Sequence, residues 1–199
     1  MLAILLGLGF LALQSRAQAP AAKRAAVAFL GLTETSNPQL SAALTKSIRG
    51  RLGADSAIIA IPGEEVDKLF AKGILRGPDS RPGDPEALRR EVGDAYLAYG
   101  SLEPLSVASK RTWWKPWAVK NTWTQGMRLH VVDGAKGAVV FDSLVAAAVR
   151  EPGFVFNPEG DWGKVPPKER DRRMRIMADA VSIEVAKALA KAVKGRPTP

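Results

Sequence analysis

The sequence contains no cysteine, and His130 is its one histidine among 199 residues. Without cysteine there can be no disulfide, no thiol nucleophile, no thiolate zinc site and no amino-terminal cysteine carrying a lipid. Stability must then come from an apolar core. One histidine leaves a metal site only carboxylates to draw on, and no Asp-rich loop with calcium spacing occurs, so no metal and no cofactor are expected. Phosphate-binding glycine patterns are also missing. Gly31-Leu32-Thr33 stands where a phosphate loop would start, but neither the Walker spacing nor Gly-x-Gly-x-x-Gly occurs there. Beyond the amino terminus no apolar stretch approaches transmembrane length, and no internal repeat is present.

What is there is an ordinary globular composition, 46% hydrophobic and 25% charged, with a net charge of +9 from 29 basic and 20 acidic residues. Met1 to Leu13 is apolar and uncharged, too short for a spanning helix, and Ser15-Arg16-Ala17 supplies a small-x-small cleavage site. No Lys or Arg precedes that run, so either the α-amine alone supplies its positive end or the start lies upstream. The expectation is a signal peptide over 1–17, a flexible lead-in over 18–24, one domain over 25–193 and a disordered tail over 194–199. Export makes the chain periplasmic or secreted. Its positive charge then suits an acidic protein, anionic lipid or cell-wall polymer rather than nucleic acid.

Ala25 to Leu30 is a continuous apolar run ending at Gly31, as in a central strand buried on both faces. Pro38 opens a helix whose Leu40, Leu44, Ile48 and Leu52 recur every four residues up to Gly53. Ala57 to Ile61 reads as a second strand. Glu64 to Lys72 reads as a short helix closed by Gly73, and Asp84-Pro85 caps a third helix that ends at Gly93. Ala95 to Leu102 is a strand, Trp123 to Val132 alternates as a strand, and Asp133 to Gly137 turns into a strand over Ala138 to Val149. Residues 151–167 read as irregular, and a long helix follows from about Lys168 to Val193. The pattern predicts an α/β domain: a mixed sheet of about five strands with an antiparallel meander, helices mainly on one face, and a long carboxy-terminal helix.

His130 has no nucleophile or paired carboxylate near it in sequence, and reads as a sheet histidine. Glu64, Glu65, Glu86 and Glu91 are explained by helix starts or exposed helix faces, and Asp133 by a turn. Enzyme activity is not expected. The unusual stretch is Lys110 to Trp123, with four of the five tryptophans and four basic residues in fourteen positions. It reads as a loop between two strands. Indoles beside Lys or Arg suit a membrane interface, stacking on sugars or a protein hot spot, unless they fold back to cap the core. Trp113, Trp114, Lys115, Trp117, Lys110 and Arg111 are the candidate partner-binding residues, with Pro116 stiffening the segment.

Gly93-Asp94-Ala95-Tyr96-Leu97-Ala98-Tyr99-Gly100-Ser101-Leu102 resembles a characteristic strand of the CsgG-like envelope proteins. That group takes in curli secretion proteins, peptidoglycan-synthase activators of the LpoB kind and the amino-terminal domain of TolB. Ala25 to Leu30 resembles their first strand. Met127-Arg128-Leu129-His130-Val131-Val132-Asp133-Gly134-Ala135-Lys136-Gly137-Ala138-Val139-Val140 resembles their strand and turn. The likeness covers about 25–150. It implies no catalytic residues and a non-catalytic role in envelope assembly or secretion, as an adaptor binding an envelope protein partner. The alternative is a binder of anionic glycan or lipid through the Trp/basic segment, with a cryptic hydrolase behind both. Many members are lipoproteins, whereas this chain lacks the cysteine.

Overall fold

The computed structural model describes residues 24–33, 38–54, 58–79, 84–154 and 166–194. The expected signal peptide, nearly all of the lead-in and all but Lys194 of the tail lie outside them, as do residues 155–165.

The first half of the chain alternates strand and helix: β1 (Ala25–Leu32), α1 (Pro38–Leu52), β2 (Ile58–Ala60), α2 (Gly63–Ala71), α3 (Pro85–Val92) and β3 (Ala95–Leu102). β1 pairs in parallel with β2 on one side and β3 on the other, so its apolar run is buried on both faces. Helix ends follow the sequence signals. Asp84 accepts a 2.9 Å hydrogen bond from the Ala87 amide, and Pro85 fills the first turn, where its missing N–H costs nothing. Gly73 and Gly93 follow α2 and α3 with φ of 69° and 68°, a left-handed conformation that side chains resist.

The second half is antiparallel: β4 (Ser106–Thr112), β5 (Lys115–Asp133) and β6 (Val139–Phe154), closed by α4 (Pro167–Val193). β5 is 19 residues long and organises the rest. One of its edges pairs first with β4 and then with β3, while β6 runs along the other. β3 and β4 are thus one line of chain interrupted at Glu103 to Leu105. Three residues there oppose Gln125 and Gly126, a bulge that accommodates Pro104, which has no N–H to give. The Gln125 side-chain amide fills the gap, donating to the Glu103 carbonyl at 2.6 Å and the Gly126 carbonyl at 3.0 Å. The six strands therefore lie in about five lines, as the alternation of the sequence implies.

The two long helices share one face. Leu40, Leu44, Ile48 and Leu52 of α1 pack with Val181, Val185 and Leu189 of α4 over Val27, Phe29, Tyr96, Ala98, Met127, Leu129 and Val131. Ser182, fully buried between these helices, receives a hydrogen bond from Arg51 at 2.8 Å and lies 2.9 Å from the Ser47 hydroxyl. The short α2 and α3 cover only the β1–β3 end of the other face, over Ala28, Leu30, Ala95 and Leu97. Burying this much apolar surface, at roughly 25 cal/mol per Å², is what holds a disulfide-free chain together.

Two expectations need correction. Lys110 to Trp123 is not a loop: it is the end of β4, a turn of two residues, Trp113 and Trp114, and the beginning of β5. Residues 151–154, read as irregular, continue β6 to Phe154. Both stretches lie at the outer end of the sheet, and from Lys110 to Lys120 the described side chains are exposed or half-buried. Selection for alternating apolar residues is absent there, so the strand signal is too.

Candidate functional site

The outer ends of β4, β5 and β6 form a three-stranded ribbon. Within β5, Trp123, Gln125, Met127, Leu129 and Val131 are buried, whereas Lys115, Trp117 and Lys120 are exposed. The covered sheet gives way to solvent near Asn121, which is buried and receives a 2.7 Å hydrogen bond from Ser109. Beyond that point, pairing runs Lys110↔Lys120, Arg111↔Val119 and Thr112↔Lys115. The shift between the last two pairs leaves residues 116–118 as extra chain on the β5 side, and Pro116 falls inside this bulge.

Trp113 and Trp114 occupy the whole turn. Their rings meet edge to face, centroids 5.8 Å apart and planes at 87°. Trp113 is 87% exposed, Trp114 61% and Trp117 54%. All six residues expected at the tip are thus placed together on this hairpin, and each is exposed. Trp123 parts company with them. It is 3% exposed and packs in the main core, with the Arg173 guanidinium 5.0 Å from its ring centre.

Within the ribbon the charge of β4 and of the outer part of β5 has one sign, whereas β6 brings Glu151 opposite Asn121. From Pro104 to Val132 there is no Asp or Glu. Lys110, Arg111, Lys115 and Lys120 make no ion pair with a described residue. Lys110 and Lys120 stand directly opposite across the strands, which costs stability in the free protein. Lys120 was not singled out in the sequence. Its place beside Lys110 becomes readable only once Trp113-Trp114 is recognised as a two-residue turn and residues 116–118 as a bulge, because the turn alone would set Lys110 opposite Trp117.

His130 lies on the open face of the sheet, opposite Tyr99 on one side and Asp142 on the other. Its ring stacks on Tyr99, centroids 5.0 Å apart, and Nδ1 lies 3.6 Å from the Asp142 carboxylate. Asp142 also accepts a 3.0 Å hydrogen bond from Arg128. Ser101 shares this face, opposite Arg128, but makes no hydrogen bond to His130. Among the described residues no group of three or more His, Asp or Glu could hold a metal ion, and no helix is long and apolar enough to cross a membrane.

No protein-family profile matches the sequence, and no curated protein matches it. Solved structures do. The chain is similar to the hypothetical protein CT253 from Chlamydia trachomatis, with a TM-score of 0.54 at 13% identity, over 87% of this chain and 100% of that one. The two share a fold. Lipoprotein GNA1162 from Neisseria meningitidis is also similar, with a TM-score of 0.45 at 14% identity over 82% of this chain and 99% of that one. The LpoB C-terminal domain from Salmonella enterica follows with a TM-score of 0.34 at 12% identity, over 66% of this chain and 87% of that one. The likeness to CT253 shows the fold, and the LpoB domain is of a kind named in the resemblance expected from the sequence. The curli-secretion and TolB parts of that resemblance rest on the sequence motifs.

Proposed function

We propose that this chain is a non-catalytic adaptor of the cell envelope, periplasmic or secreted, that serves assembly or secretion by binding a protein partner through its hairpin tip. The observation that carries this is the exposure of Trp113, Trp114 and Trp117 together at the end of a projecting ribbon. Three large indoles in water represent apolar surface that a soluble protein rarely leaves bare without use. They are also the residue type that dominates protein hot spots, with Arg beside them. Lys110, Arg111 and Lys115 complete the contact surface. A paired hairpin loses less freedom on binding than an open loop, so more of the contact energy is retained as affinity.

One observation favours a second reading at the same tip. Four cations that make no ion pair with a described residue, in a span from Pro104 to Val132 without Asp or Glu, also suit an anionic glycan or lipid surface. Affinity capture from an envelope fraction separates the two. With a protein partner, Trp113→Ala combined with Trp114→Ala abolishes capture, and raising the salt weakens it modestly. With an anionic surface, salt alone releases the chain, because exposed charges are screened beyond about 8 Å at physiological ionic strength. Capture that is indifferent to both the indoles and salt would refute the tip as the binding surface.

A further inference from the structure

We infer that two copies of this chain pair edge to edge through β6, in an antiparallel arrangement about a two-fold axis at Ala146. The sheet has three outer edges, and natural sheets guard such edges with brevity, charge or proline. β2 is three residues long. β4 carries Lys110 and Arg111 at its outer end. β6 is 16 residues long, pairs among the described residues with β5 along one edge only, and holds the same register from Phe141 to Phe154 without a bulge. Between Asp142 and Arg150 its sequence is Ser-Leu-Val-Ala-Ala-Ala-Val, seven residues with no charge, proline or glycine. This window, bounded by Asp142 on one side and Arg150-Glu151-Pro152 on the other, is the longest unguarded stretch of edge among the described strands, and an unguarded edge is a template for another strand.

The sequence of β6 selects its occupant. In a two-fold antiparallel pair centred on Ala146, each residue meets the one whose number mirrors its own about 146. Asp142 of one copy then faces Arg150 of the other, twice. Leu144, 60% exposed in the single chain, faces Ala148, and the small Ala146 faces itself at the axis. Asp142, Leu144, Ala146, Ala148 and Arg150 all lie on the open face of the strand and are exposed, so on that face no described residue covers them. Arg150 makes no ion pair with a described residue. Moving the axis by one residue in either direction loses both charge pairs. A self-complementary patch of this kind is what an isologous interface requires. Because the strands run in opposite directions, the two hairpin tips of such a dimer point away from each other. The dimer therefore presents two docking tips at opposite ends of one continuous sheet.

The absence of cysteine makes the test direct. Directly opposite residues of an antiparallel pair sit about 4.5–5.5 Å apart at Cα, within disulfide reach. Ala146→Cys is expected to form an intermolecular disulfide in most of the protein under mild oxidation. Ala148→Cys, whose own counterpart lies several residues away, is expected to form none. The unmodified chain is expected to sediment at twice the monomer mass, and Arg150→Asp, which sets Asp142 against a second aspartate, to raise the dimer dissociation constant at least tenfold with circular dichroism unchanged. A monomer at every concentration, or equal cross-linking through positions 146 and 148, would overturn the pairing. The tip tryptophans take no part in this edge, so the outcome is independent of whether the tip binds a partner.

Discussion

Trp113 and Trp123 stand ten positions apart in one hairpin and meet opposite fates. Trp123 falls on the same face of β5 as Met127 and Leu129, within the part that α4 covers, whereas Trp113 lies in the turn beyond it. Trp123→Ala should therefore cost about 3–5 kcal/mol, as removing a buried tryptophan does, read from the denaturant midpoint. Trp113→Ala should leave that midpoint within roughly 0.5 kcal/mol of the parent. The sequence shows four tryptophans in one cluster and cannot sort them, because the sorting depends on strand parity and on where helix cover ends. At the start of α4, Glu169 accepts hydrogen bonds from Arg172, at 2.7, 3.0 and 3.2 Å, and from Arg173 at 3.1 Å. These hold its carboxyl down from the usual 4.5 to about 2, the Arg172 bond being the largest cause. A depressed carboxylate stabilises the fold above its unfolded pKa and stops doing so as pH falls through the folded one. The stability difference between the parent chain and Glu169→Gln should thus be constant above about pH 4.5 and close towards pH 2 in acid unfolding curves. Exposure to solvent keeps that difference small.

Elements with a buried face were legible. α1 follows from leucines and isoleucine at steps of four, β3 from its apolar and aromatic run, and α3 from Asp84-Pro85 at one end and Gly93 at the other. Because the Asp84 carboxylate satisfies an otherwise unpaired Ala87 amide, Asp84→Ala should lower stability by about 0.5–2 kcal/mol, measurable by thermal unfolding. β4, the start of β5 and the end of β6 were not legible as strands. All three pair through backbone hydrogen bonds, β4 and the start of β5 keep most of their described side chains in solvent, and a backbone ladder leaves little trace in residue type. The six candidate residues were therefore found from composition alone, while Lys120, placed by register, was not.

At the scale of the molecule, the sequence conveys the mixed sheet, the parallel half, the antiparallel half and the dominance of one helical face. It does not convey that β3 and β4 share an edge of β5, since that depends on a bulge at Glu103 to Leu105. It also does not convey that this geometry carries the ribbon past the helices. That projection is the physical basis of the proposed role. The body provides a rigid sheet clamped by α1 and α4, and the ribbon holds an acid-free, indole-bearing tip away from it. The most direct measurement is site-specific photo-cross-linking in the envelope fraction of the native host, with a photoreactive residue replacing Trp113 and, as a control, Glu86 on α3. A discrete adduct with one envelope protein from position 113 and not from position 86 is the predicted result. No adduct at 113, or the same adducts from both positions, would contradict the account.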